Sequence, residues 1–167
     1  MKKIILLGCA FLLINTALCF AADPVEGYWI SVDHKNGKIT GGWQIYEEAG
    51  KLYGKMLSVT GYPQDAIAER CKDSYPGFPL PGKVNAMRVL GTPWIFGLSL
   101  DRNGQWSGGN VIDPQDGKMY KAKIIHRPRD GNRFKVETLE MRGEIGLGIG
   151  HSQYWRRSTE AEAAGLR

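Results

Sequence analysis

The stretch Trp106-Ser107-Gly108-Gly109-Asn110-Val111-Ile112, then Asp113-Pro114-Gln115-Asp116-Gly117, then Lys118-Met119-Tyr120-Lys121-Ala122-Lys123-Ile124-Ile125-His126 decides the fold. In its last run Tyr120, Ala122 and Ile124 share one face and Lys121 and Lys123 the other. That is the two-residue period of a half-buried strand. The middle run is turn chemistry: Asp to start, Pro to fix φ, Gly to take the left-handed position. Together they read as two antiparallel strands joined by a short turn.

The same grammar extends in both directions. Candidate strands are Gly27–Asp33, Gly42–Glu47, Lys51–Thr60, Thr92–Leu100, Trp106–Ile112, Lys118–His126, Arg133–Glu144 and Ile149–Arg156. Pro93 opens the fourth, where a missing N–H is tolerated. The breaks Lys35-Asn36-Gly37-Lys38, Glu48-Ala49-Gly50, Asp101-Arg102-Asn103-Gly104 and Arg129-Asp130-Gly131-Asn132 supply turn residues. Helical periodicity is scarce, so the expected class is all-β. Eight strands in an antiparallel meander close into a small barrel, which removes the exposed edges of an open sheet. Alternation places Trp94, Phe96, Leu98 and Leu100 on one face. Phe134 and Val136 fall out of phase with Leu139 and Met141, which predicts a β-bulge near Thr138.

Residues 61–91 break the meander. They hold four of the chain's eight prolines, at 63, 76, 79 and 81. Long irregular segments inside compact domains are usually functional or disordered, so this one loop is a candidate lid or mouth. Ala66–Arg70 is short enough for one or two helical turns. Ser158–Arg167 reads as a polar, Ala-rich tail with the pattern of a frayed helix.

The chain opens Met1-Lys2-Lys3 and is apolar from Ile4 to Phe20 apart from Asn15 and Thr16. Cys19-Phe20-Ala21 puts small residues where a signal peptidase cuts. The organisation expected is a signal peptide over 1–21, a barrel domain over 22–157 and a tail over 158–167, with the protein periplasmic or secreted. A retained anchor is the first alternative, since the apolar run is near spanning length. A lipid anchor is the second, through Leu6-Leu7-Gly8-Cys9 or Cys19, but the first cysteine lies too early and Leu18 is bulky. Cleavage at 21 removes two of three cysteines and leaves Cys71 alone. No internal disulfide can then form, and stability must come from an apolar core.

The whole-chain charge is +5 and the basic residues are scattered instead of striped. That excludes nucleic acid as an expected partner. His34, His126 and His151 lack metal spacing, and Asp113 with Asp116 supplies too few oxygens for calcium, so no metal and no cofactor are expected. Cys71 and Asp73 on the loop suggest a thiol enzyme only if a base reaches the sulfur, and no such contact is legible. Catalytic residues are therefore left unassigned.

Gly27-Tyr28-Trp29 on the first strand, with Trp155-Arg156 on the last, resembles the Gly-x-Trp of lipocalins. The resemblance implies that Arg156 covers Trp29 at the closed end, a cation over an indole face. The chain is also similar to the DUF2147 family of exported bacterial proteins, whose function is uncharacterised. The residues that carry this are Gly27-Tyr28-Trp29, Trp106-Ser107-Gly108-Gly109, Ile112-Asp113-Pro114, Gly117-Lys118, Tyr120, Leu139-Glu140-Met141-Arg142-Gly143 and Trp155-Arg156. The family's Asp-x-x-Asn-Pro loop is replaced here by Cys71-Lys72-Asp73-Ser74-Tyr75-Pro76. The resemblance implies an exported barrel and no known reaction.

Within such a barrel Trp94, Trp106, Asn110 and Tyr120, with Arg142 if a bulge turns it inward, are the candidate lining of a small-molecule pocket. The alternative for these aromatics is solid packing, which small barrels often show. Two readings of function follow. One is a periplasmic barrel binding a small apolar or amphipathic ligand such as a lipid. The other is an envelope interaction module that docks a protein through the aromatic, Pro-rich loop.

Overall fold

A computed structural model describes residues 22–33, 36–146 and 149–166. The expected signal over 1–21 and His34 lie outside the described residues. Eight strands form a closed antiparallel barrel in simple meander order: β1 (Gly27–Val32), β2 (Ile39–Glu48), β3 (Lys51–Val59), β4 (Pro93–Arg102), β5 (Gln105–Asp113), β6 (Lys118–Arg127), β7 (Thr138–Gly146) and β8 (Ile149–Ser158). The barrel closes where Trp29 pairs with Arg157 and Ile30 with Arg156. The two-residue turn Ala49-Gly50 has φ of 51° and 76°. Two left-handed residues match the twist of the strands they join.

Two glycines inside strands set which residues face inward. Gly97 (φ 74°) and Gly108 (φ 79°) are in the left-handed region, and the register on both strands slips beside them. Each is a bulge, and each reverses the in–out phase of the residues beyond it. Leu98 therefore points into the barrel opposite Leu52, as does Ile95 opposite Gly54. Trp94 and Phe96 point outward. This corrects the single-face reading of residues 94–100.

The bulge expected near Thr138 is absent. The pairing of β6 with β7 runs without a slip from Lys121–Glu144 to Arg127–Thr138. Phe134 and Val136 are out of phase because they precede the strand, in the loop 128–137, and so carry no strand phase at all. The irregularity of β7 lies instead between Glu144 and Gly146.

Residues 60–92 form no lid of helical turns. Ile67 bridges Arg88, Ala68 N–H donates to Met87 O at 2.9 Å and Val89 N–H to Ala66 O at 2.8 Å. Residues 66–68 are thus extended, Glu69 and Arg70 form a turn closed by Cys71 N–H donating to Ala68 O at 2.9 Å, and the short helical piece is a 3₁₀ turn at Val84–Ala86. The segment sheathes the outer face of β4 and β5. Phe78 packs 6.1 Å from Trp94 and 5.4 Å from Phe96, centroid to centroid. Trp94 Nε1 donates to Val89 O at 2.7 Å and Tyr75 Oη to Gly117 O at 2.6 Å.

One end of the barrel is plugged. Trp29 is fully buried and its Nε1 donates to Val25 O at 2.8 Å. The cation over its ring is Arg157, 3.9 Å from the centroid, and not Arg156, which is exposed on the outer face. Parity explains the difference. Trp155 points inward, so Arg157, two residues on, shares its face. Arg157 also donates to the carbonyls of Glu26 and Pro24 and, at 2.7 Å, to Glu137 Oε1. His126 Nε2 lies 2.9 Å from the same carboxylate oxygen.

The chain then leaves the barrel through α1 (Glu160–Ala164), started by a capping box between Thr159 and Glu162. This helix packs on the outside of β1–β3. A Cβ on Gly42 would stand 1.7 Å from the carbonyl oxygen of Ala163, so only glycine admits the helix there.

The glutamates on β7 and beside it make the barrel acid-sensitive. Hydrogen bonding from Arg157 holds Glu137 below the ordinary glutamate range, against the burial that raises it, with His126 helping. Burial raises Glu140, but hydrogen bonds from Arg127 and Ser152 outweigh it and leave it low as well. Between the lowered folded pKa and the ordinary value the unfolded chain binds more protons, so stability rises with pH there. The expected result is a urea midpoint that is flat near neutrality and falls as pH drops through about 4.3 and below. A midpoint unchanged down to pH 3 would contradict these pairings.

Candidate functional site

The lower half of the barrel is solid. Trp29, Leu52, Leu98, Trp106, Ile124 and Leu139 are each at most 2% exposed. The upper half is hollow. A cavity of about 600 Å³ opens at the end that carries the 33–38, 60–92 and 114–117 connections. Its deepest lining residues are Trp43, Met56, Met141 and Trp155. One pleat lower on β2, β3 and β7 come Ile45, Gly54 and Leu139, all buried in the solid half.

Trp43 and Trp155 stack with centroids 4.8 Å apart and planes 23° apart. Both indole N–H groups are used within the protein: Trp43 Nε1 donates to Ser31 Oγ at 3.3 Å and Trp155 Nε1 to Gln153 Oε1 at 3.0 Å. What the pair offers the cavity is carbon surface. Val59, Val111 and Tyr120 extend the wall above it, and Tyr62, Ile67 and Val89 of the long segment complete it. The segment with no strand period thus supplies both the outer sheath and one side of the mouth.

The polar groups gather higher up. Ser31 Oγ and Thr40 Oγ1 bond each other at 2.7 Å. Arg70 reaches across the rim, donating from Nη1 to Gln115 O at 3.3 Å. Asp113 lies on the rim at the end of β5. Its Oδ1 accepts from Gln115 N–H at 2.8 Å and Gly117 N–H donates to its carbonyl at 2.8 Å, so it builds the turn that its sequence implied. The protein around its carboxyl pushes the pKa up, the Gln115 N–H pulls it down, and Asp116 pushes it up again. Glu69, His151 and Gln153 also line the mouth.

Of the five expected lining residues, Tyr120 lines the cavity. Trp94 is fully buried but on the outside, under Phe78, because the Gly97 bulge gives residues 94 and 96 the opposite face from Leu98. Asn110 is outward too, paired with Phe96 and accepting from Lys121 Nζ at 3.3 Å, because Gly108 breaks its parity with Trp106. Trp106 is inward but belongs to the solid half, opposite Ile124. Its Nε1 is buried with no hydrogen-bond partner among the described residues. Arg142 is outward, as its phase against Leu139 and Met141 implies. It donates from Nε to Glu144 Oε1 at 2.7 Å on the outer surface.

The loop residues Cys71 and Asp73 are not part of the cavity. Cys71 is buried against Tyr75, and burial pushes its thiol up, away from the thiolate a nucleophile needs. Asp73 ties the loop to itself through Lys83 Nζ at 2.9 Å and Asn85 at 2.6 Å, and these bonds lower its pKa. Among the described residues no three His, Cys, Asp or Glu side chains converge as metal ligands, and no helix is long and apolar enough to cross a membrane.

Most of the lining was missed in the sequence, and the missed signal was alternation on strands whose faces were not tallied. His151, Gln153 and Trp155 share a face of β8, and Gly41 and Trp43 one of β2. Gly143 on β7 pairs with His151, and it is the open space beside it that Trp155 and Met141 look into.

A closed antiparallel eight-strand barrel, plugged at one end by an Arg-covered Trp and hollow at the other, is a lipocalin-like fold. The chain belongs to the DUF2147 family, described as an uncharacterized protein conserved in bacteria, whose model matches residues 27–157. Among solved structures it is similar to protein HP1028 from the human pathogen Helicobacter pylori, which belongs to the lipocalin family. The TM-score is 0.64 at 15% identity, over 85% of this chain and 89% of that one. At that identity the likeness is one of fold. No curated protein matches the chain.

Proposed function

We propose that this protein binds one small apolar or amphipathic molecule in the upper half of its barrel, and does so in the periplasm or after secretion. The observation that carries the reading is the division of one barrel into a solid half and a hollow half. Six large side chains fill the lower half, so the cavity above is not a general failure of packing. Its volume, about 600 Å³, lies within the range that holds drug-sized ligands, and its lining is apolar around the Trp43–Trp155 pair and polar around the mouth. Export rests on residues 1–21 alone: a short basic start, an apolar run and small residues before Ala21.

Gly143 gives a direct test. It lines the cavity, and a Cβ built on it would meet Tyr120 at 3.5 Å and Val111 at 3.8 Å, ordinary contact distances. Gly143→Phe should therefore place a ring in the hollow without breaking the strand. N-phenyl-1-naphthylamine, a neutral apolar fluorophore, is expected to bind the natural protein at one site with a blue-shifted emission. Gly143→Phe should weaken it by roughly tenfold or more, the order expected when a well-filled apolar contact is lost. Equal binding by both proteins would place the probe elsewhere and reject the reading.

One observation favours a second reading, an envelope interaction module without a small ligand. Ile145 and Ile149 flank the β7–β8 turn at 74% and 63% exposure, and Tyr62, Ile67 and Leu80 are exposed on the long segment. Two aromatic side chains of that segment weigh against it, since Tyr75 and Phe78 turn inward onto the barrel and are not offered to a partner.

A further inference from the structure

We infer that the molecule held in the cavity presents an uncharged carbonyl oxygen to the side-chain amide of Gln153 while its apolar body lies on the Trp43–Trp155 pair. This rests on the reading of the cavity as a binding site and names the group that its ligand carries.

Parity fixes where Gln153 points. Trp155 is buried inside the barrel, and Gln153, two residues back on β8, shares its face and lines the cavity. Its exposed area is therefore turned to the cavity and not to the outer surface, where Ser152 bonds Glu140. The chemistry of its neighbour fixes how the amide is turned. An indole N–H can only donate, so the atom that Trp155 Nε1 meets at 3.0 Å is the acceptor, Oε1. Nε2 then carries its two N–H groups away from that bond, and among the described residues it donates to nothing. The other indole is held differently. Trp43 Nε1 donates to Ser31 Oγ, and the one hydroxyl hydrogen of Ser31 has Thr40 Oγ1 at 2.7 Å and Gly41 O at 3.1 Å to go to. Of the two polar groups that hold the stacked rings, Ser31 is saturated and Gln153 keeps a fixed pair of donors.

Those donors stand one pleat above an apolar floor. Gln153 pairs across the strands with Met141, and Trp155 lies below it. A ligand that covers the ring pair shuts solvent away from Nε2. A plain hydrocarbon would then leave N–H groups buried without an acceptor, which costs more than an average hydrogen bond contributes. A carbonyl oxygen accepts from such a donor and brings no charge. A carboxylate accepts too, but the charged lining residues stand higher. Arg70 is tied to Gln115 O on the rim, and Glu69 and Asp113 are at the mouth with it. Taking an anion below them strips its water and supplies no counter-charge. His151, the next inward residue up β8, is already engaged within the protein.

The test uses three naphthalenes that differ only in the group on the ring: 2-acetylnaphthalene, its isostere 2-isopropenylnaphthalene, in which a methylene replaces the oxygen, and 2-naphthoate. Each is set to displace N-phenyl-1-naphthylamine from the full folded chain at pH 8, where imidazole side chains are uncharged. Gln153→Met removes the donors. Gln153→Glu keeps an oxygen for Trp155 Nε1 and puts a second oxygen where the donors were. Both variants should weaken the ketone relative to the alkene by roughly fivefold or more, the scale of one lost hydrogen bond. To the natural protein, 2-naphthoate should bind roughly tenfold or more weaker than the ketone. The ketone, and not the alkene, should also move the Gln153 side-chain amide proton signals of the natural protein downfield, a readout that does not depend on either variant folding. A ketone-to-alkene ratio unchanged in both variants, amide signals that move equally with both probes, or tighter or equal binding of 2-naphthoate would overturn the carbonyl assignment while leaving the cavity as a binding site. Failure of all three probes and of N-phenyl-1-naphthylamine would overturn the underlying reading itself.

Discussion

Trp29→Ala is expected to cost about 3–5 kcal/mol, the range seen when a large aromatic is cut from a core that cannot collapse around the gap. Trp29 is fully buried, its indole N–H bonds to Val25 O, and its ring lies under Arg157. The substitution leaves a void in the solid half, an orphaned carbonyl and a guanidinium with nothing beneath it. Against a total stability of roughly 5–15 kcal/mol for a domain, that is a large share. Chemical unfolding at pH 7 should show the midpoint falling with the slope preserved. A loss under about 1 kcal/mol would mean that the plugged end is not a cooperative part of the fold.

Arg157→Ala is expected to cost about 2–4 kcal/mol, while Arg156→Ala stays within about 0.5 kcal/mol. Arg157 makes the cation–ring contact, two bonds to backbone carbonyls and the pair with Glu137. The ion pair is partly exposed and contributes little by itself. Most of the effect comes from leaving the carbonyls of Pro24 and Glu26 and the face of Trp29 without their partner. Arg157→Lys should recover less than half, because a single ammonium cannot reproduce the planar fork that reaches three acceptors at once. The two adjacent arginines make a matched comparison with opposite faces. Equal effects of both alanine variants would contradict the register of β8. Because Trp29 and Arg157 touch, the double variant should cost less than the sum of the two.

Much of the fold was legible because barrels write their periods plainly. Tyr120, Ala122 and Ile124 alternate with lysines, and the turns at Ala49-Gly50 and Asp113–Gly117 carry the residues their backbones need. The errors came from interruptions of that period. Gly97 and Gly108 look like ordinary small residues, yet each adds one residue to a strand and reverses every face beyond it. That is why Trp94 and Asn110 were assigned to the interior and lie outside. The displacement of Arg156 by Arg157 was recoverable, since an inward Trp155 forces its second neighbour onto the same face. The capping of β4 by Phe78 was not. It depends on a contact between residues whose sequence neighbours give no period, and only the folded chain brings them together.

The cavity was legible in kind and not in membership. A single long segment and a closed barrel implied a mouth, and one is there. Its lining is drawn from β1–β3 and β7–β8 as much as from β5 and β6, so reading the most regular strands found Tyr120 and missed the stacked tryptophans.

The five tryptophans give the most direct test of the central claim that one half of this barrel is filled and the other half holds a ligand. Indole N–H resonances of the full chain, assigned by single Trp→Phe variants, can be followed while N-phenyl-1-naphthylamine is added. The expected result is saturable movement of the Trp43 and Trp155 signals at one probe per chain, with Trp29, Trp94 and Trp106 nearly still. Movement centred on Trp94, or no movement at any of the five, would contradict it.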